Sequence, residues 1–147
     1  MNVAVYTIYT DGGSRRNPGP AAAGYVIEGP DIRRTEHGEY IGIATNNVAE
    51  YSAAIFALLR LKSMIGADRA RAAHVRLMAD SELLVRQVNG EYKVKDANLK
   101  RLFVDLYNAR QDFARVEFNH VRREHNKDAD RMVNEALDRE HSPTLNV

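Results

Sequence analysis

Hydrophobic and polar positions alternate clearly at the start of the chain. Val3, Val5, Thr7, Tyr9 and Asp11 alternate with Ala4, Tyr6, Ile8 and Thr10, and both sets are apolar enough to predict a strand covered on two faces that ends in a carboxylate. A turn around Asn17 to Pro20 follows, then a second strand from Ala21 to Glu28, closed by Gly29-Pro30-Asp31. Arg33 to Ile43 alternates Thr35, His37, Glu39 and Ile41 against Arg34, Glu36 and Tyr40, as an exposed edge strand does. The period then changes. Thr45-Asn46-Asn47 opens a helix from Val48 to about Ile65 with Val48, Tyr51, Ile55, Leu58 and Leu59 in one stripe.

Gly66 to Ala73 reads as a polar connector, and Val75 to Ala79 as a short strand ending in Asp80, with Ser81 capping a short helix over Glu82 to Asn89. A lysine-bearing break from Gly90 to Lys95 leads to a helix over Asn98 to Asp112. Ala114 to Val121 is a fifth strand, followed by the basic loop Arg122-Arg123-Glu124-His125 and a last helix from about Asn126 to Arg139. Residues 1–140 are thus expected to form a single α/β domain, and 141–147 a frayed tail.

With the first strand taken as pointing up, the second runs down and the third up. Right-handed crossovers send the fourth and fifth up as well. The sheet is then mixed, three antiparallel strands followed by two parallel ones, flanked by helices. Asp11 and Asp80 end upward strands, while Glu50 and Asp130 lie near the starts of helices that begin at the same edge. That carboxyl edge is where ligands bind in open α/β sheets. Each acid alone has a plain alternative: Asn47-x-x-Glu50 as a capping-box variant, Asp80 and Asp130 as favourable charges at helix N-termini, Asp11 as part of a turn. Together, four carboxylates a few ångströms apart repel one another unless a cation joins them. All-oxygen ligands select Mg²⁺ or Mn²⁺. Two such ions, roughly 3.5–4 Å apart, can activate water and stabilise the leaving oxygen of a phosphodiester.

Composition narrows the choice. The chain has 147 residues, 44% hydrophobic and 28% charged, which suits one ordinary core, and its net charge is only +1. It has no cysteine, which excludes disulfides, thiolate zinc sites and a cysteine nucleophile. No signal-peptide pattern or bilayer-length apolar run is visible, so a soluble cytoplasmic protein without membrane contact is expected, a monomer by default. Arg15, Arg16, Lys93, Lys95, Arg122, Arg123 and Lys127 fit a polyanionic substrate, although each singly reads as a solvated surface charge.

The blocks TDGGSRRNPGPAAAG, TNNVAEYSA, DSELLVRQVNG and HVRREHNKDADRMVNEAL, in that order, resemble the motifs of type 1 ribonuclease H and together span nearly the whole chain. The resemblance implies a ribonuclease H-like fold. It also implies a nuclease cutting the RNA strand of an RNA–DNA hybrid with two metal ions, leaving 5′-phosphate and 3′-hydroxyl ends. On it, Asp11, Glu50, Asp80 and Asp130 are metal ligands, Asn17, Asn46 and Asn47 contact the hybrid, and Thr45 contacts a phosphate. An amide suits a 2′-hydroxyl, which both donates and accepts. His125 aligns with a mobile histidine of the family that assists proton transfer or product release, at a shorter spacing to Asp130 than in many bacterial members. The chain has no tryptophan and passes through Gly90-Glu91-Tyr92-Lys93-Val94-Lys95 where longer relatives carry a basic helix, so it resembles the shorter archaeal-like branch. Grip on the hybrid then falls to Lys93, Lys95, Arg122 and Arg123. Double-stranded RNA as a further substrate, and a non-catalytic nucleic-acid-binding module on the same fold, stay open as alternatives. An aspartyl-phosphate phosphotransferase wants a second acid two residues after Asp11, where Gly13 stands, and the chain is too short for an actin-like ATPase.

Overall fold

Residues 2–140 are described by a computed structural model; the tail expected over 141–147 lies outside the described residues. The strands are β1 (Val5–Ser14), β2 (Gly19–Glu28), β3 (Thr35–Ala44), β4 (His74–Ala79) and β5 (Arg115–His120). They form one sheet in the order β3-β2-β1-β4-β5. The first three are antiparallel, and β4 and β5 run parallel to β1. The helices are α1 (Asn46–Ile65), α2 (Ala67–Ala72), α3 (Glu82–Val88), α4 (Ala97–Arg110) and α5 (Lys127–Glu140). Among the described residues no helix is long and apolar enough to cross a membrane.

The main core lies between the sheet and α1, where Tyr6, Ile8, Ile27, Leu58, Leu61 and Leu77 are almost wholly buried. On the opposite face Ala22 packs with Val133, Ala136 and Leu137 of α5. That helix sits directly on the sheet. A Cβ at Gly38 would come within 2.1 Å of the Met132 carbonyl oxygen, so only glycine permits the approach. One buried polar link ties α1 to α3: the Tyr51 hydroxyl donates to Gln87 Oε1 at 2.7 Å, and Gln87 Nε2 donates to the Lys93 carbonyl at 3.2 Å. Tyr51→Phe leaves that buried oxygen without its donor and is expected to lower stability by about 1–2 kcal/mol in urea denaturation.

Two expectations need correction. The stretch from Gly66 to Ala73 is not a bare connector: it carries α2, whose Ala70 is buried and whose Arg69 donates to the Tyr6 hydroxyl at 3.0 Å. A polar surface helix of six residues leaves almost no periodic signal. Nor does β1 stop at Asp11. It runs on through Gly12 and Gly13 to Ser14, paired with Ala23, Ala22 and Ala21, and the hairpin closes with Arg15 N–H donating to the Pro20 carbonyl at 2.8 Å. Small residues face small residues there because α1 and α5 clamp the two faces of a thin ribbon. What ends at Thr10 is the ladder with β4, whose last pair is Thr10 with Ala79. Asp11 and Asp80 are therefore the first residues beyond the parallel part of the sheet.

Candidate active site

Glu50 reaches this edge from α1. Thr45 caps that helix, its Oγ1 accepting from Val48 N–H at 3.2 Å, and Asn46 is its first residue, so the helix starts two residues earlier than the periodicity predicts. Glu50 thus falls in the second turn and has no capping role. Its Oε1 instead accepts from Gly12 N–H at 2.9 Å, across 38 residues of sequence. Oxygen atoms of Asp11, Glu50 and Asp80 lie within 4.8 Å of one another. Asp130, in the first turn of α5, stands outside that group of three but borders the same cleft of about 280 Å³ as Asp11 and Glu50.

The electrostatics of the cluster are unfavourable as it stands. Asp11 is only 7% exposed and its pKa is pushed up to about 8, first by burial and then by the charges of Asp80 and Asp130. Glu50, 8% exposed, is held well above the usual carboxylate range by burial and then by Asp11 and Asp80, which outweigh the Gly12 hydrogen bond. A donor set of carboxylates alone, free of nitrogen and sulfur, fits a hard divalent cation, and such a cation removes the repulsion.

Around the acids the chain places hydrogen-bond donors. Asn46 Oδ1 accepts from Ser14 N–H at 2.8 Å, and Asn17 Oδ1 accepts from Asn46 N–H at 3.0 Å. Both amides thus use their oxygens on main chain, and their Nδ2 groups make no bond to other described residues. Asn46 borders the acid cleft; Asn47 is exposed beside it, and Thr45 is engaged as the cap. The turn between β1 and β2 includes a cis Asn17–Pro18 bond and Arg16 at φ 80°. Arg15 borders the cleft but is drawn to α5 by an ion pair with Asp138 at 2.7 Å.

The basic residues separate. Arg123 borders the cleft together with Asp11, Glu50 and Asp130, whereas His125 lines a neighbouring cavity of about 270 Å³ with Tyr9, Glu28, Arg34 and Asp128. Arg16 and Arg122 are exposed. Lys93 and Lys95, on the eight-residue connection between α3 and α4, line a different groove with Leu83, Glu91 and Tyr92, and none of the four acids lines that groove. Sequence reasoning passed over three groups near the acids: the Gly12 N–H, Asn126, and Asn134, which borders the cleft and donates to the Asp130 carbonyl at 3.1 Å. Both asparagines stand four residues from Asp130, one turn of helix away, a spacing that could have drawn attention to them.

A mixed α/β sheet whose parallel edge gathers acids into one cleft defines a domain suited to hold a hard cation against a polyanion. The family model described as Reverse transcriptase-like matches residues 9–136. Ribonuclease HI of Halobacterium salinarum is 40% identical over 131 residues, covering 88% of this chain and 63% of that protein. Its crystal structure aligns with a TM-score of 0.81 at 39% identity, over 92% of this chain and 98% of that one. LC11-RNase H1, isolated from compost by a metagenomic approach and crystallised in complex with an RNA/DNA hybrid, aligns with a TM-score of 0.84 at 43% identity over 92% and 98%. A bifunctional protein of Mycobacterium tuberculosis is 39% identical over 133 residues, 89% of this chain, which spans only 35% of it. The chain belongs to the type 1 ribonuclease H family.

Proposed function

We propose that this protein is an endoribonuclease that hydrolyses the RNA strand of RNA–DNA hybrids, with Asp11, Glu50, Asp80 and Asp130 holding two Mg²⁺ or Mn²⁺ ions and the cut leaving 5′-phosphate and 3′-hydroxyl ends. The observation that carries the reading is the meeting of Asp11, Glu50 and Asp80 within 4.8 Å at the sheet edge, with Asp130 on the same cleft. When bound, the ions would supply an activated water and stabilise the leaving oxygen. The chain does the rest. Gly12 N–H fixes the orientation of Glu50, the Nδ2 groups of Asn17 and Asn46 offer donors to ribose or phosphate oxygens, and Arg123 offers a cation where a backbone phosphate must pass. All four acids come from one chain, which supports action as a monomer. The names of the relatives, and the hybrid bound by LC11-RNase H1, support the substrate.

The test is cleavage of labelled RNA–DNA hybrid, double-stranded RNA and double-stranded DNA with Mg²⁺ or Mn²⁺. The reading expects cutting of the RNA strand of the hybrid. Binding without cutting would make this a nucleic-acid-binding module, and cutting of both RNA-containing duplexes would widen the substrate class. In the same assay Arg123→Ala is expected to reduce kcat/KM by about 10-fold or more, whereas His125→Ala, altered in the other cavity, has a much smaller effect. The reverse order would favour the part in proton transfer or product release that the resemblance implies for His125.

A further inference from the structure

Asn126 is only 2% exposed and stands between two of the acid-bearing elements. Its Nδ2 donates at 2.9 Å to the Thr10 carbonyl, the main-chain group immediately before Asp11, at the point where the ladder between β1 and β4 ends. Its own carbonyl accepts from Asp130 N–H at 3.1 Å. Five residues earlier, Val121 N–H donates at 2.9 Å to the carbonyl of Ala79, the residue before Asp80. The segment 121–126 thus crosses the sheet edge fastened at each end to a residue that precedes an acid.

The other half of the Asn126 amide is unspent: Oδ1 is buried and has no partner among the described residues. One bond made and one acceptor left bare is a poor combination for stability. Turning the amide over would set oxygen against oxygen and strand the NH₂ group as well. What the side chain does supply is a fixed separation between β1 and the first turn of α5.

We propose that Asn126 is a positioning residue that sets the placement of Asp130 relative to Asp11, and through it the affinity of the acid cluster for its divalent ion. This rests on the reading above that the cluster holds one. Outer groups that orient ligand side chains in this way typically matter by 10–100-fold in affinity or rate. Asn89 provides a control of the same chemistry away from the acids, its Nδ2 donating to the Phe118 carbonyl at 3.2 Å.

Calorimetric titration of Mn²⁺ without nucleic acid should show Asn126→Ala binding roughly 10–100-fold more weakly than wild type, and hybrid cleavage should lose kcat by a similar factor while KM is kept. Asn89→Ala should bind Mn²⁺ as wild type does, whatever its melting temperature. If Asn126→Ala does not fold, Asn126→Ser, which retains a donor, is read in the same titration. A folded Asn126 variant with wild-type Mn²⁺ affinity and kcat overturns the inference, as does loss of folding in both variants, which would make Asn126 a folding determinant. A wild-type protein that neither binds Mn²⁺ nor cuts hybrid sinks the functional reading, and this inference with it.

Discussion

Asp11→Asn is expected to abolish hybrid cleavage while making the metal-free protein more stable. The substitution keeps the shape of the side chain and removes a charge that burial, Asp80 and Asp130 all oppose. An ordinary aspartate titrates near 3.8, and Asp11 titrates at about 8 in the folded chain, so the native state binds this proton more tightly than the unfolded state does. Its contribution to stability is therefore intact below about pH 4 and is lost progressively as pH rises towards about 8. The loss at pH 8 is on the order of 5 kcal/mol, shared with the neighbouring acids that feel the same repulsion. Without metal, Asp11→Asn should melt above wild type at pH 8 and level with it near pH 4. Mn²⁺ should raise the melting temperature of wild type far more than that of the variant. Cleavage should fall by about 10³-fold or more, since a lost ligand removes several kcal/mol of charge stabilisation. A variant that melts below wild type at pH 8, or that still cuts, would contradict the assignment of Asp11 as a ligand.

The convergence of the acids was legible because it depends only on strand direction and crossover handedness, which residue pattern and connection lengths constrain. The edge strand β3 and the cap at Ser81 were legible for similarly local reasons, whereas at α1 the pattern offered Asn47 as the capping residue and Thr45 holds that place. Where β1 ends was not. Gly12 and Gly13 are poor strand formers by themselves, and only the clamp of α1 and α5 makes a glycine–alanine ribbon the best packing. The placement of Arg123 and His125 on two different cavities was equally hidden. Both lie in a 3₁₀ turn over Arg123–His125, where each residue rotates about 120°, so positions two apart face different ways. Spacing to Asp130 says nothing about which cavity each one borders. Lys93 and Lys95 sit in a connection whose path is set by the helices around it, and no pattern in the sequence directs that path. Asn126 read as an ordinary helix opener because its bond to Thr10 spans 116 residues.

Gly12→Ala is expected to be strongly destabilising and to disable the site. A Cβ at Gly12 would lie 2.2 Å from the Ala49 carbonyl carbon, 2.3 Å from Glu50 N and 2.4 Å from the Ala49 oxygen. All three are main-chain atoms of α1, a helix whose Ala49, Ala53 and Ala57 are wholly buried, so no side chain can swing aside. Either α1 lifts off the ribbon or β1 bends, and both routes break the bond from Gly12 N–H to Glu50. The expected loss is about 3 kcal/mol or more in urea denaturation, at the upper end for overpacking because backbone meets backbone. Hybrid cleavage should fall with it even where the variant is still folded, since Glu50 would no longer be held against Asp11 and Asp80. Gly13→Ala makes the comparison decisive. Its Cβ would meet Val133 Cγ1 at 3.5 Å, an ordinary contact, and the substitution reduces the freedom of the unfolded chain, so stability should change by about 1 kcal/mol or less. Equal losses at the two glycines would mean that the ribbon needs flexible backbone throughout. A loss confined to Gly12 ties the placement of Glu50 to the missing side chain opposite α1.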